Sequence, residues 1–171
     1  ALALPSVVTA YDGKLCLKDA LVIGVSQSGK AADVLAVMEK AKQCGALTVA
    51  VTNDLQSPMA QFGDYHLYCN AGLEESVAAT KTFTSQMYVL AMLAAVWGDN
   101  EAMLAKLDEV PGAVEQLLSY IPHDIEKIIQ RYRYMENGFV LSRGTSMAIA
   151  FETMLKLQET NYVKMKGYAV S

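Results

Sequence analysis

Apolar residues follow two spacings along this chain, and the switches between them mark its elements. Leu21–Ser26 is a near-continuous apolar run, the pattern of a strand buried on both faces of a parallel sheet. From Ala31 to Gln43 the spacing changes. Val34, Val37, Met38 and Ala41 fall on one helical face, and Gly45 stands where a helix-ending glycine is expected. Leu47–Asn53 predicts a second buried strand. Ser57–Asp64 predicts a short helix with Pro58 in its first turn, and Tyr65–Cys69 a third strand. This alternation predicts an α/β fold built on a doubly wound parallel sheet.

The pattern changes after "NAGLEES". Val77–Trp97 predicts one long apolar helix, and Gly98–Asn100 breaks it. Helical spacing resumes over Glu101–Tyr120, and Pro122 opens another amphipathic helix. At Gly138 the earlier style returns: "GFVLSRG" predicts a strand running into a glycine turn, and residues 145–166 a long helix. A strand, a polar glycine turn and a helix thus occur twice, which predicts tandem copies of one α/β unit. The expected organisation is a first domain over residues 1–98 lacking its N-terminal part. A helical connector follows over 99–136, then the truncated start of a second domain over 137–171. No strand is expected after the last helix, and the chain is read as a piece of a longer protein.

With 171 residues the chain can bury a core, and 53% hydrophobic residues indicate a folded protein. The net charge of −4 offers no basic footprint, so a nucleic-acid partner is not expected. Cys16, Cys44 and Cys69 are scattered without a C-x-x-C pair, which predicts reduced thiols in the cytoplasm. With only His66 and His123, a Cys/His metal site has little to draw on. The most apolar stretch, Met87–Trp97, is too short to cross a bilayer, so no membrane partner is expected either.

Candidate chemistry gathers at "SQSGK", where the first strand meets its helix. Gly24–Lys30 nearly spells the nucleotide loop G-x-x-x-x-G-K, but Ala31 lacks the hydroxyl that would hold Mg²⁺. No apolar strand ending in Asp follows at a suitable distance. A strand end delivering a helix N-terminus still presents free N–H groups and partial positive charge to an anion. Ser26, Gln27 and Ser28 add side-chain donors, and Gly29 permits the tight turn. A sugar phosphate, held by donors without metal, fits this loop better than ATP. The bland alternative is an ordinary polar βα turn. A second polar loop, "GLEESVAATK", would present backbone N–H groups of Val77–Thr80 at the same sheet edge. Glu74 and Glu75 there suit a helix start. Glu152, Lys156 and Glu159 share one face of the last helix, a spacing that usually marks a solvated, salt-bridged surface.

"SQSGKAADVL", "GLEESVAATKTFTSQM" and "LSRGTSMAIAFETMLKLQETNYVKMKGYA" together resemble the sugar isomerase (SIS) domain family, from Leu21 almost to the chain end. Within it they resemble most the isomerase half of glutamine–fructose-6-phosphate aminotransferases. The resemblance implies that Ser26, Gln27 and Ser28 bind the substrate phosphate and that backbone at Val77 and Ala78 contacts the sugar. It also implies that Glu159 and Lys156 carry ketose–aldose isomerisation. Glu159 would be the base, Lys156 the electrophilic partner, and Glu152 a support or ring-hydroxyl ligand. No cofactor or metal is implied. The partners implied are a sugar phosphate and a second copy of the chain in a homodimer. Arg143-Gly144 matches the family's G-R-G. Lys30 replaces a Glu, Ala31 a Thr and Ala79 a Ser of the family pattern, departures that suggest a different substrate or chemistry. The family's ring-opening histidine and C-terminal lysine lie beyond Ser171, and neither a glutaminase domain nor the first glycine-serine loop is present. The fragment alone is therefore not expected to turn over. A non-catalytic sugar-phosphate sensor and a fructosamine-6-phosphate deglycase-like lyase remain the alternatives.

Overall fold

The computed structural model describes residues 5–11 and 13–170. Residues 1–4, 12 and 171 of the expected domain spans lie outside them. The chain divides into two compact units, Ala1–Leu107 and Asp108–Ser171.

The first unit opens with a single helical turn, α1 (Ser6–Thr9), and then builds a three-stranded parallel sheet. Its strands β1 (Leu21–Val25), β2 (Leu47–Thr52) and β3 (Tyr65–Tyr68) lie side by side in chain order. Gly24 pairs with Ala50 and Ala50 with His66. β2 is the central strand and is buried from Thr48 to Thr52. The expectation that β1 is buried on both faces is corrected: only Gly24 is fully covered, and Ile23 and Val25 are open. The apolar run signals a parallel strand, but coverage depends on what packs against it.

Two helices lie over the Gly24 face, α2 (Ala32–Gln43) and α3 (Pro58–Phe62). A Cβ at Gly24 would collide with the sulfur of Met38 and come within 2.9 Å of Met59 Cε. Glycine in mid-strand thus lets both methionines reach the sheet, where with Ala50 they form the core. α2 ends as its glycine foretells. Gly45 is left-handed (φ +81°), Ala46 N–H bonds the Ala41 carbonyl and Gly45 N–H that of Lys42, the paired bonds of a Schellman ending. α3 starts at Ser57, whose hydroxyl accepts from Ala60 N–H.

Three helical expectations need correction. The long apolar helix starts at Lys81, not Val77: α4 spans Lys81–Trp97, and Ser76–Ala78 form a bend. The cause is a carboxylate cap, described below, that selects the amides of Thr80 and Thr82. Second, the two connector helices are one, α5 (Glu101–Ile128), with Pro111 and Pro122 inside it. A proline leaves the carbonyl four residues back without its amide donor. For Pro111 that carbonyl is Leu107, and the Tyr88 hydroxyl donates to it at 3.0 Å.

The third correction concerns the second unit. Its last helix, α6 (Met147–Asn161), stops at Tyr162, which takes the left-handed conformation (φ 56°). Lys164–Ala169 then form a strand, β5, paired parallel with β4 (Asn137–Ser142). The second unit is therefore a complete strand–helix–strand element, and Lys164 and Lys166 belong to a strand, not to a helix end. Ala150 and Met165 are buried between α6 and this sheet, and Gln158 Nε2 donates to the Met165 carbonyl at 3.0 Å. Gly167 lies under Phe151, where a Cβ would stand 3.1 Å from the ring.

Candidate functional site

The Ser26–Gly29 turn leaves β1 at its carboxyl end. Ser26 N–H still bonds the Val51 carbonyl, and Asn53 N–H donates to the Gln27 carbonyl at 3.0 Å. The turn is held by its own hydroxyls: Ser26 Oγ accepts from Gly29 N–H (3.2 Å) and Ser28 Oγ from Lys30 N–H (3.3 Å). Each hydroxyl keeps its own hydrogen to donate outward. Among the described residues the amides of Gln27 and Ser28 have no hydrogen-bond acceptor. The helix cap, Ala31, makes no side-chain cap, so the amides of Ala32 and Asp33 in the first turn of α2 stay unfilled among the described residues as well. Lys30 is exposed and reaches Asp54 at 3.6 Å. Such a turn offers hydroxyl and amide hydrogens to an anion.

Gly29 is required twice over. Its φ is +61°, and a Cβ would collide with Ser57 Oγ and lie 2.6 Å from Ser57 Cβ. Met59 N–H also bonds the Gly29 carbonyl at 3.1 Å, fastening the turn to α3. Beneath it Thr52 Oγ1 donates to the Asp54 carbonyl (3.0 Å) and meets His66 Nε2 at 2.8 Å. With the threonine hydrogen committed, the imidazole is the donor to Thr52. Burial lowers the His66 pKa and keeps the ring neutral. His66 is thus a support for the turn.

The second loop is anchored by residues for which no binding role is expected from sequence. Asn53 closes β2, and its side chain grips the loop on both sides. Oδ1 accepts from Ala71 N–H (2.8 Å), and Nδ2 donates to the Gly72 carbonyl (2.6 Å). Glu74 does the rest. Its Oε2 accepts from Thr80 N–H (3.2 Å), Thr82 N–H (3.2 Å) and the buried Thr82 hydroxyl (2.8 Å). The Thr82 hydroxyl, assisted by those amides, holds the Glu74 carboxyl below its ordinary range. The cap residue Thr80 makes no side-chain cap of its own, so Glu74 fills that place from six residues upstream. Between these anchors Val77 projects fully exposed, with Ala78 and Ala79 half-buried beside it. Spacing gave Glu74 a dipole role only; the specific grip depends on the loop folding back.

In the second unit Glu152, Lys156 and Glu159 come together as their spacing requires. Lys156 Nζ lies 2.7 Å from Glu159 Oε2 and 3.4 Å from Glu152 Oε1. The side chains of Lys156 and Glu152 are 25% and 21% exposed and that of Glu159 is 41%, so the face is half-covered at Glu152 and Lys156 and open at Glu159. The Glu159 hydrogen bond chiefly, with the nearby Glu152 charge, raises the Lys156 pKa and keeps it an ammonium. Glu159 Oε1 has no hydrogen bond among the described residues. Arg143 is extended and exposed, and Gly144 is left-handed (φ +60°). Among the described residues no acidic, histidine or cysteine cluster is placed to hold a metal ion, and no helix is long and apolar enough to cross a membrane.

Comparisons with known proteins agree on one family. The model of the SIS domain matches residues 9–96. A glutamine–fructose-6-phosphate aminotransferase (isomerizing) of Aquifex aeolicus is 38% identical over 149 residues, 86% of this chain and 25% of that protein. Among solved structures, the C-terminal domain of a glucosamine-fructose-6-phosphate aminotransferase from Francisella tularensis superposes with a TM-score of 0.88 at 26% identity. It covers 99% of this chain and 50% of the other. A Silicibacter pomeroyi protein described as a phosphosugar isomerase gives 0.86 at 38% identity, over 98% of this chain and 50% of its own. The chain thus spans about a quarter of the matched curated relative and half of these solved chains. Parallel α/β units, matched motifs and these likenesses lead to one conclusion: the chain belongs to the SIS domain family.

Proposed function

We propose that the protein binds a phosphosugar and acts on it as an isomerase, aminotransferase or deaminase, with fructose 6-phosphate and glucosamine 6-phosphate as the substrate class. The observation that carries this reading is the Lys156 ammonium held between two carboxylates on α6, in a chain of this family. Ketose–aldose interconversion moves a proton between C1 and C2 through an enediol or enamine. Glu159 would take and return that proton, Lys156 would stabilise the oxyanion that develops on the adjacent oxygen, and Glu152 would hold the ammonium in place. The phosphate would sit on the Ser26–Ser28 turn, whose outward hydrogens neutralise it without metal. Backbone at Val77 and Ala78 would meet the sugar. The relatives' names support this substrate class. The reading includes a cytoplasmic homodimer and no cofactor.

The test assays the intact protein for hexose 6-phosphate isomerisation and ammonia release, beside Glu159→Gln. Losing a general base lowers turnover by about 10²–10⁴-fold. Unchanged turnover removes Glu159 from the role. Fructose 6-phosphate titrated against wild type and Ser28→Ala tests the turn, and ATP binding more tightly than the sugar phosphates would sink the reading. Tight sugar-phosphate binding without any turnover would instead identify a sensing module.

A further inference from the structure

The Ser26–Gly29 turn is joined to the loop over residues 75–79 through Asn53 and Glu74. The links run in series. Gln27 is tied through its carbonyl to the backbone N–H of Asn53 (3.0 Å). The Asn53 side chain grips Ala71 and Gly72, and Glu74, two residues on, clamps Thr80 and Thr82. Asn70 and Gly72, on either side of Ala71 where Asn53 takes hold, are both left-handed (φ 50° and 69°).

Building on the phosphosugar reading proposed above, we infer that Asn53 and Glu74 form a brace that fixes the distance from the phosphate turn to the sugar-contacting loop. They are positioning residues, and their contribution falls on recognition of the sugar, not of its phosphate.

The asymmetry follows from which atoms each link uses. The tie to the phosphate turn is a backbone bond and survives any side-chain substitution at Asn53. The tie to the loop is all side chain: one amide donor, one amide oxygen and one carboxylate. The Glu74 oxygen accepts three hydrogen bonds, and two of the donors are the amides of the cap residue Thr80 and of Thr82 in the first turn of α4. Without it those amides and the buried Thr82 hydroxyl lose their partner, and the helix start and the Ser76–Ala78 bend can shift together. A rigid loop presents its backbone to a ligand at little ordering cost; a loosened one must be ordered by the ligand.

Asn53→Ala and Glu74→Gln in the intact protein separate these contributions, with fructose 6-phosphate and inorganic phosphate as the two probes. Circular dichroism and unfolding midpoints confirm that each variant folds. Glu74→Gln keeps one acceptor and carries the test if Asn53→Ala does not fold. Fructose 6-phosphate affinity is expected to fall about tenfold or more, while inorganic phosphate affinity stays within about twofold. With turnover measured, the loss should appear mainly in KM. Parallel weakening of both probes, or no change in either, overturns the brace. A wild type that does not prefer fructose 6-phosphate over inorganic phosphate overturns the phosphosugar reading, and the brace with it.

Discussion

Asp64 illustrates how one side chain can hold three segments of this fold. Its Oδ2 accepts from Thr48 N–H (2.9 Å) and Thr48 Oγ1 (2.8 Å), and its Oδ1 pairs with Lys42 at 2.9 Å. Lys42 also donates to the Phe62 carbonyl (2.8 Å), so the end of α2, the start of β2 and the turn before β3 are joined. The Lys42 hydrogen bond, then those from Thr48, bring the Asp64 pKa down to about 2. A carboxyl whose pKa is lower in the folded state stabilises the fold above its unfolded value. That contribution fades as pH falls through the folded value. Wild type should therefore lose stability from about pH 4 down to about pH 2, where Asp64→Asn shows a flatter profile. Chemical denaturation of both across that window checks it: a constant gap would assign the effect to packing. From sequence Asp64 is only the last residue of the predicted short helix. Gly29 was legible as a turn glycine, but its contact with Ser57, 28 residues away, was not.

At the scale of elements, caps decided most of the boundaries. Gly45 and Ser57 act within a few residues of themselves; Gly45 was read as a helix end, and the helix that Ser57 caps was marked by Pro58. Glu74 acts six to eight residues downstream through a folded-back loop, and so the predicted helix began four residues too early. Tyr162 ends α6 in a left-handed conformation that aromatic residues rarely signal, so the predicted helix ran on into the residues of β5. α5 carries the clearest element-level test. Tyr88→Phe removes the hydrogen bond to the Leu107 carbonyl and should cost about 1 kcal/mol. Replacing Pro111 with Ala restores the backbone donor to that carbonyl, so the Tyr88→Phe cost should shrink in the Pro111→Ala background. An equal cost in both backgrounds would show that the hydroxyl does not substitute for the missing amide.

At the scale of the whole chain, the second unit leaves one sheet face uncovered. Along β4 and β5, Gly138, Val140, Met165 and Gly167 lie on the covered side, while Phe139 and Leu141 are 67% and 61% exposed on the other. Phe139 and Tyr168 rings meet there at 5.8 Å. Parallel sheets are ordinarily covered on both faces, so this surface is out of keeping with the fold type. In the 171-residue chain, Phe139→Thr with Leu141→Thr should lower the binding of a hydrophobic dye such as ANS and leave far-UV circular dichroism unchanged. Undiminished dye binding would place the reactive apolar surface elsewhere.

The sequence by itself determined the α/β class, the parallel strands, the Ser26–Gly29 turn and the shared face of Glu152, Lys156 and Glu159. Each of these follows from local spacing: apolar period, glycine position, or residues three and four apart on a helix. Tertiary structure alone decided which strand is central, that Pro122 lies inside one continuous helix, that β5 exists, and that Asn53 and Glu74 hold the loop beside the turn. Those outcomes depend on partners brought close by folding, such as Met165 for Gln158 and Thr82 for Glu74, and the spacing of residues along a chain does not encode them.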